Sequence, residues 1–401
     1  MHISLDSALG RQRRLNSVGE SVLQIAPNAA AAYSLRSLTG GDPKVVRVRR
    51  VIDNAESDFT AAGISSGALT SFVNDIQTVG TAVNGTGSFD NYTVSNLSNT
   101  GFSADNSAGG TGSAGFPYVF KDDDVLVVKY TVTNFSSTSS LSPALRGVSA
   151  TNSITSKTNA GTTFTANGTY TDTLTATADG THLMYADGNT GSYTISDFEI
   201  VSHSSSGFVE TWYDQSGNSE DAVQETAGSQ PKIVNSGSLV SNGLDFDGSN
   251  DHMPIPSSII SNINSFSGFI VCKGRSGFAI DTALAISKGS GTIVRLGNYL
   301  FGSATNSYAS STTTLAGTAD DAKHLISLVV GDSNAESFLD GTSKGTISTA
   351  SGYVADGNIG ADVGSGNYWQ GQIEEIIIYD SDQGSNRVVL ETNIISHYGI
   401  S

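Results

Sequence analysis

The sequence predicts an all-β protein, and three observations carry that expectation. The 401 residues include 45 Gly but only 7 Pro, and Ser, Thr and Asn crowd the spaces between short apolar runs, a composition of many strands joined by tight turns. Those runs alternate apolar with polar positions, as half-buried strands do. Charged residues make up only 14% of the chain, against roughly 25% in ordinary soluble domains. Collagen, coiled coils and long helical bundles are thereby excluded. At roughly 100–200 residues per domain, the length calls for two or three domains.

Taken in order, residues 1–26 mix polarities without a core-forming face and predict an arm ordered by its partners, with Arg11, Arg13 and Arg14 as its docking cations. Pro27-Asn28-Ala29 opens an Ala-rich run through Leu35 that predicts a short helix, closed by Gly40-Gly41. Val45, Val46 and Val48 interleave with Arg47, Arg49 and Arg50 as a strand with one charged face. Ser65-Ser66 predicts the cap of a second helix carrying Leu69, Phe72, Val73 and Ile76 at three- and four-residue spacing.

From about Ser88 to Ser205 the texture changes to Ser, Thr, Asn and Gly around strands at 124–133, 170–177 and 193–200. A block of this length without long helices predicts a sandwich of jelly-roll type. At Phe208-Val-Glu-Thr-Trp212-Tyr213 the earlier chemistry resumes, so the block reads as an insert at 88–205 within a framework of 27–87 plus 206–401. Further strands follow at 243–247, 267–273, 292–296, 324–330, 337–340 and 372–379, with hairpin signals at Phe246-Asp-Gly-Ser-Asn-Asp251 and Phe338-Leu-Asp-Gly-Thr342. The last element is a helix capped by Ser385, with Leu390, Ile394 and Tyr398 on one face and Gly399 as its stop.

Charge divides the chain. Residues 1–50 hold eight Lys or Arg and three acids, whereas the other 351 hold 12 basic and 35 acidic residues. A basic head on an acidic body predicts docking against an acidic protein surface rather than nucleic acid, because no aromatic platform accompanies the head and the body repels phosphate. No run reaches the roughly 18–20 apolar residues of a membrane span. The arginines near the start are not followed by a secretory apolar run, so the sequence carries no expectation of signal-dependent export. Cys272, the single cysteine, reads as a small core residue in the run Gly268-Phe-Ile-Val-Cys272. The sequence implies no metal site and no cofactor.

Several motifs carry a resemblance. Ala31-Ala-Tyr-Ser-Leu-Arg36, Arg47-Val-Arg-Arg-Val-Ile-Asp53-Asn54-Ala-Glu56-Ser-Asp58, Thr211-Trp-Tyr-Asp214-Gln215-Ser216-Gly217-Asn218 and Gln230-Pro-Lys-Ile233 belong to it, as does the ending Trp369-Gln-Gly-Gln-Ile373, Ile378-Tyr-Asp380, Asn386-Arg387 and His397-Tyr398-Gly399. Together they resemble a family of tailed-bacteriophage virion proteins, many from marine phages, across about two thirds of the chain. The middle block is similar to a carbohydrate-binding-module insert that many such proteins carry. Through the Tyr-Asp-Gln-Ser-Gly-Asn motif the framework is also similar to the concanavalin-like sandwich of fungal α-L-arabinofuranosidase B. That resemblance places Gly297 where the family has its nucleophilic Glu, and Asp362 where it has its acid. Retaining hydrolysis needs two carboxyls about 5–5.5 Å apart, so the resemblance implies a scaffold kept without its chemistry, Asp362 being vestigial.

The remaining candidates each carry two readings. Asp214 and Asn218 can bind sugar hydroxyls or Ca²⁺, or bond their own backbone in a turn. Asp245, Asp247, Asn250 and Asp251 can hold Ca²⁺, although without EF-hand spacing, or form a solvated face with a hairpin turn. Trp212 and Tyr213 read as core aromatics, whereas Tyr368 and Trp369, in a Gly- and Asn-rich loop, read as sugar-stacking residues. Glu374 and Glu375 are adjacent and are expected to face opposite sides of a strand. The expectation is therefore a non-enzymatic homo-oligomeric virion component, a tail fibre, head fibre or capsid decoration, assembled in the host cytoplasm. Its arm would bind other virion proteins and its β-modules host-surface polysaccharide. The alternatives are a glycan-degrading hydrolase pairing Asp362 with Glu374 or Glu210, and a purely architectural cement protein.

Overall fold

The computed structural model describes residues 20–84, 93–105, 112–137, 144–147, 156–160, 165–187, 191–259, 265–274, 280–287, 293–300, 303–308, 311–316, 321–331, 334–348, 357–362 and 366–401. Within them the fold is all-β: a concanavalin-like β-sandwich, an inserted jelly-roll β-sandwich and a few short helices. Arg11, Arg13 and Arg14 lie outside the described residues.

One sheet of the larger sandwich runs in the order Thr342–Ser348, Asn334–Leu339, His324–Val330, Phe266–Gly274, Gln370–Tyr379, Leu244–Asp247, Lys232–Asn235, Gly207–Trp212, Lys44–Arg50 and Glu56–Thr60, with three short strands paired off this path. Opposite it lies a six-stranded sheet of Met253–Ile255, Gly357–Ile359, Ile280–Ser287, Ile293–Leu300, Ser303–Tyr308 and Ser311–Ala316. Period-two alternation fills the space between them: Ile270, Ile326 and Ile376 from the first sheet share a core with Leu284, Leu296 and Ile359 from the second. Cys272 is 3% exposed in that core, the place its apolar run predicts.

The strand Phe266–Gly274 is apolar on both faces because both are covered. Its Phe269 and Val271, with Leu325, Ile377 and Tyr379, pack on the outer side of the large sheet beneath Val22, Ala26, Leu390, Ile394 and Tyr398. The last three come from the helix Arg387–Tyr398, which ends at Gly399 in the left-handed conformation (φ 63°), as its sequence predicts. Its N-cap is Asn386 rather than Ser385. Val22 and Ala26 correct the reading of residues 1–26 as a coreless arm: at 0% and 1% exposure, they belong to the body.

Several local expectations yield to tertiary context. The Ala-rich run forms the strand Ala31–Ser34, pairing antiparallel with residues 375–378, since sheet pairing with all four residues buried outweighs alanine's helix propensity. The predicted second helix is instead two short helices, Ala61–Ser65 and Ala68–Val73, broken at Gly67 (φ 83°), and Thr60 caps the first through Gly63 N–H. Ile76 lies beyond them, 43% exposed. The turn 246–251 does not close a hairpin, because Leu244–Asp247 and Met253–Ile255 belong to different sheets. The turn at 338–342 does, with Asp340 and Gly341 both at positive φ (50° and 78°), as a type I′ turn requires.

A second core gathers Phe102, Phe116, Tyr130, Leu183, Tyr193 and Phe198 with neighbours from Val79 to Ile200. Its five-stranded sheet runs Gly168–Thr175, Val125–Ser137, Gly191–Ser204, Phe102–Asp105 and Thr93–Ser95, beside a three-stranded sheet of Gly180–Asp187, Gly112–Phe120 and Val83–Asn84. The chain leaves this unit at Ser204 and enters the framework strand Gly207–Trp212, which pairs with Lys44–Arg50. There Ser205 N–H donates to Asn74 Oδ1 at 3.0 Å, and Asn74 Nδ2 donates to Gly237 O at 3.0 Å, pinning the two crossings of the chain side by side.

Candidate functional site

The motif Asp214-Gln-Ser-Gly-Asn218 is a clasp. Asp214 accepts the N–H groups of Ala32 and Ser216 at Oδ1 (both 2.8 Å), and the Ser216 hydroxyl (2.6 Å) and Glu220 N–H (3.2 Å) at Oδ2. Gln215 donates from Nε2 to Ser34 O and Arg36 O (2.9 and 3.0 Å) and accepts Leu38 N–H at 2.8 Å. Asn218 Nδ2 reaches Ala29 O and Ala30 O at 2.9 and 3.0 Å. Of the two readings, the turn is the one realised: these polar atoms are committed to the chain's own backbone, sewing the 214–220 loop to residues 29–38.

A different cluster forms where loops cross at one end of the large sandwich. Residue 368 bridges Thr282, and Thr282 N–H donates to Asn367 O at 3.0 Å, which fixes the backbone of the Gly- and Asn-rich loop. Tyr368 is half-buried and packs at 5.9 Å, tilted by 52°, against His252. His252 is held by its ring Nδ1 near Asn250 O (2.9 Å) and by its carbonyl, which accepts Gln224 Nε2 at 2.9 Å. Trp369 corrects its expectation: it is 0% exposed, its backbone N–H tied to Gly360 O at 2.8 Å and its ring in the intersheet core, so it offers no face to a ligand.

Beside this pair Asp362 meets Arg295. Arg295 Nε lies 3.1 Å from both carboxylate oxygens and its terminal nitrogen 2.6 Å from Oδ2, a two-pronged pairing that Asn367 Nδ2 joins at 3.2 Å. The other carboxyls weighed for an acid pair are held elsewhere. Glu374 faces Lys323 at 2.8 Å beneath the C-terminal helix, and burial raises its pKa. Glu210 accepts the Thr211 hydroxyl. Gly297 is a core position at φ 66°: a Cβ there would meet Ala283 Cβ at 3.1 Å and Cys272 Sγ at 3.5 Å, so a carboxyl side chain would point into apolar packing.

Glu374 and Glu375 overturn the expectation that they face opposite sides. Val271 pairs with Glu375 and Cys272 with Ile373, which leaves Glu374 as a bulge and turns both carboxylates outward. Glu375 takes Arg36 in two bonds (2.6 and 2.8 Å) and Tyr398 Oη at 3.0 Å, while Arg36 and Lys323 lie over the Tyr398 ring at 5.5 and 5.3 Å. Two acids and two bases thus surround one tyrosine.

The acidic turn is also more closed than a solvated face. Asp247 Oδ1 accepts the N–H groups of Ser249, Asn250 and Asp251 at 2.8, 3.1 and 3.2 Å, and Asp251 is 7% exposed. Among the described residues no group of three or more His, Cys, Asp or Glu is arranged to hold a metal, and no helix is long and apolar enough to cross a membrane.

No family model matches the sequence, and no curated protein does. Among solved structures the chain is similar to Trypanosoma rangeli sialidase in complex with 2,3-difluorosialic acid, at 16% identity and a TM-score of 0.37 over 47% of this chain and 31% of that one. It is also similar to domain 4 of AbnA, a GH43 extracellular arabinanase of Geobacillus stearothermophilus, in complex with arabinotriose, at 14% identity and 0.33 over 38% and 76%. Domains LG4–5 of the mouse laminin α1 chain give 11% and 0.30 over 65% and 85%. The chain spans about a third of the sialidase's length.

Sequence reasoning missed His252, Arg295 and Asn367. Arg295 carried a signal, a lone cation inside the apolar run Ile293-Val-Arg-Leu296. His252 and Asn367 carried none, because sheet-crossing loops distant in sequence bring them to Tyr368 and Asp362.

Proposed function

We propose that the chain is a structural protein of a phage virion, a tail fibre, head fibre or capsid decoration, that binds host-surface glycans without cleaving them. The observation that carries the non-catalytic reading is the commitment of Asp362 to Arg295 and Asn367, with a core glycine at the partner position. A carboxylate bound on two sides by a guanidinium is poorly placed to protonate a leaving group, and glycoside hydrolysis requires a second carboxyl within about 10 Å on the same cleft. The same end of the sandwich supports binding: Tyr368 offers an apolar ring face beside His252, and the adjoining Asn367 ties it to the Asp362–Arg295 pair, which supplies fixed polar groups. The virion assignment rests on the motif resemblance, whose clasp residues 214–218 hold the framework together. Residues 1–19, with their three arginines, would dock on other virion proteins, and the insert would face outward.

The test pairs two readouts on the full chain and host-surface polysaccharide. Co-sedimentation without release of new reducing ends, and loss of binding in Tyr368→Ala, is the outcome expected. Release of reducing ends that disappears in Asp362→Asn would establish the hydrolase instead. Immunogold labelling of intact virions with antibody to the insert is expected to mark heads or tails, and unlabelled particles would remove the virion assignment.

A further inference from the structure

We propose that two adjoining clefts beside the C-terminal helix form a second binding site, for a neutral oligosaccharide, away from the Tyr368 surface. The clefts measure about 470 and 510 Å³, within the size range of small-molecule sites, and share Arg36, Ser37 and His397 as a common wall. This proposal takes its ligand class from the glycan reading above, but no residue from the Tyr368 surface.

The chemistry of the walls selects the ligand. Thr392, Asn393 and Ser396 line the first cleft, and Ser65, Ser241 and Asn242 the second, so hydroxyls and amides supply most of the polar contacts. Leu35, Ile64 and Leu239 add apolar surface to the second, matching the C–H face of a sugar ring. Arg36, the shared cation, is already neutralised: Glu375 holds it at 2.6 and 2.8 Å and Asn393 Oδ1 accepts a third bond at 3.1 Å. The carboxylates that remain, Glu20 in the first cleft and Asp42 in the second, repel an anion from each end. Burial and the Arg36 charge lower the pKa of His397, keeping its imidazole a neutral donor and acceptor. A neutral polyol meets these conditions, and a phosphate or acidic sugar does not.

One atom points to an occupant. Ser37 Oγ is closed off from solvent and has no hydrogen-bond partner among the described residues, and Ser37 is common to both clefts. Buried hydroxyls are nearly always paired, so this one is left for a partner that reaches it once the side chains between the two clefts shift.

The experiment titrates the full chain, in a Tyr368→Ala background that removes the other surface, with maltotriose, cellotriose and raffinose, and with 3′-sialyllactose as the anionic counterpart. Saturation-transfer NMR is expected to detect at least one neutral trisaccharide, with the sialylated one about tenfold weaker or more. Ser396→Trp and Asn242→Trp, both exposed positions, fill one cleft each and are expected to weaken binding about tenfold without lowering the melting temperature. If one variant melts lower, the other decides. Silence from all three neutral sugars, equal or tighter binding of 3′-sialyllactose, or binding untouched by both tryptophans overturns the proposal. A signal present in the parent and lost in Tyr368→Ala alone would overturn the clefts while leaving the end-loop reading standing.

Discussion

Asp251 is an acid kept where it resists ionising. Burial first, and then the neighbouring Asp247 carboxylate, push its pKa up to about 7, against ~3.9 for an unfolded aspartate. Between those values the folded chain retains a proton that the unfolded chain has lost. Its stabilising contribution is therefore complete below about pH 4 and vanishes as pH rises through about 7. Asp251→Asn keeps an acceptor for the Asp247 N–H and carries no charge. Thermal unfolding is expected to show a flatter slope between about pH 4 and 7 and a gain on the order of 2 kcal/mol at about pH 8. An unchanged slope would mean that Asp251 ionises normally. Asp214 matters through its hydrogen bonds. Asp214→Ala removes the acceptor of four bonds and is expected to cost on the order of 3 kcal/mol in chemical denaturation, with Asp214→Asn costing less.

Among the elements, the helix Arg387–Tyr398 was legible because everything that defines it is local: a three- to four-residue apolar period and a terminal glycine. The hairpin at Asp340-Gly341 was legible for the same reason, since one dipeptide specifies its turn. The strand Ala31–Ser34 was not, because its partner lies near the far end of the chain and alanine composition points the other way. Trp369 was misjudged on the texture of its neighbours, although it stands at the entry to the strand Gln370–Tyr379 with its ring in the intersheet core. The Glu374 bulge was hidden as well, since a bulge is a property of two strands and not of one. It has a measurable consequence. Glu375→Ala strips Arg36 and Tyr398 of their shared partner under the helix, leaving a largely buried guanidinium uncompensated. The expected loss is about 3 kcal/mol, with faster hydrogen exchange in residues 387–398. Exchange confined to other elements would show that the quartet does not anchor the helix.

At the scale of the molecule, the cores are built separately. Among the described residues, the two that stabilise the framework take nothing from residues 79–200, and both tryptophans, Trp212 and Trp369, sit in one of them. The chain crossings into the insert are already pinned through Asn74 and Ser205. Replacing residues 79–203 by a short Gly-Ser linker is therefore expected to leave a cooperatively folding framework with blue-shifted tryptophan emission, whereas a red-shifted spectrum would show that the framework depends on the insert. Truncation of residues 1–19 is expected to preserve folding and, under the virion role proposed above, to abolish incorporation into particles; extending the cut through Val22 and Ala26 is expected to destabilise the body as well. The junction also sets a load path. Residues 191–204 run almost directly into Gly207–Trp212, an internal strand flanked by Lys44–Arg50 and Lys232–Asn235. A pull on the insert reaches the framework along the length of that strand, so its bonds to both neighbours are strained together in shear instead of opening one after another. The insert is mounted along the mechanically strong axis of the sheet.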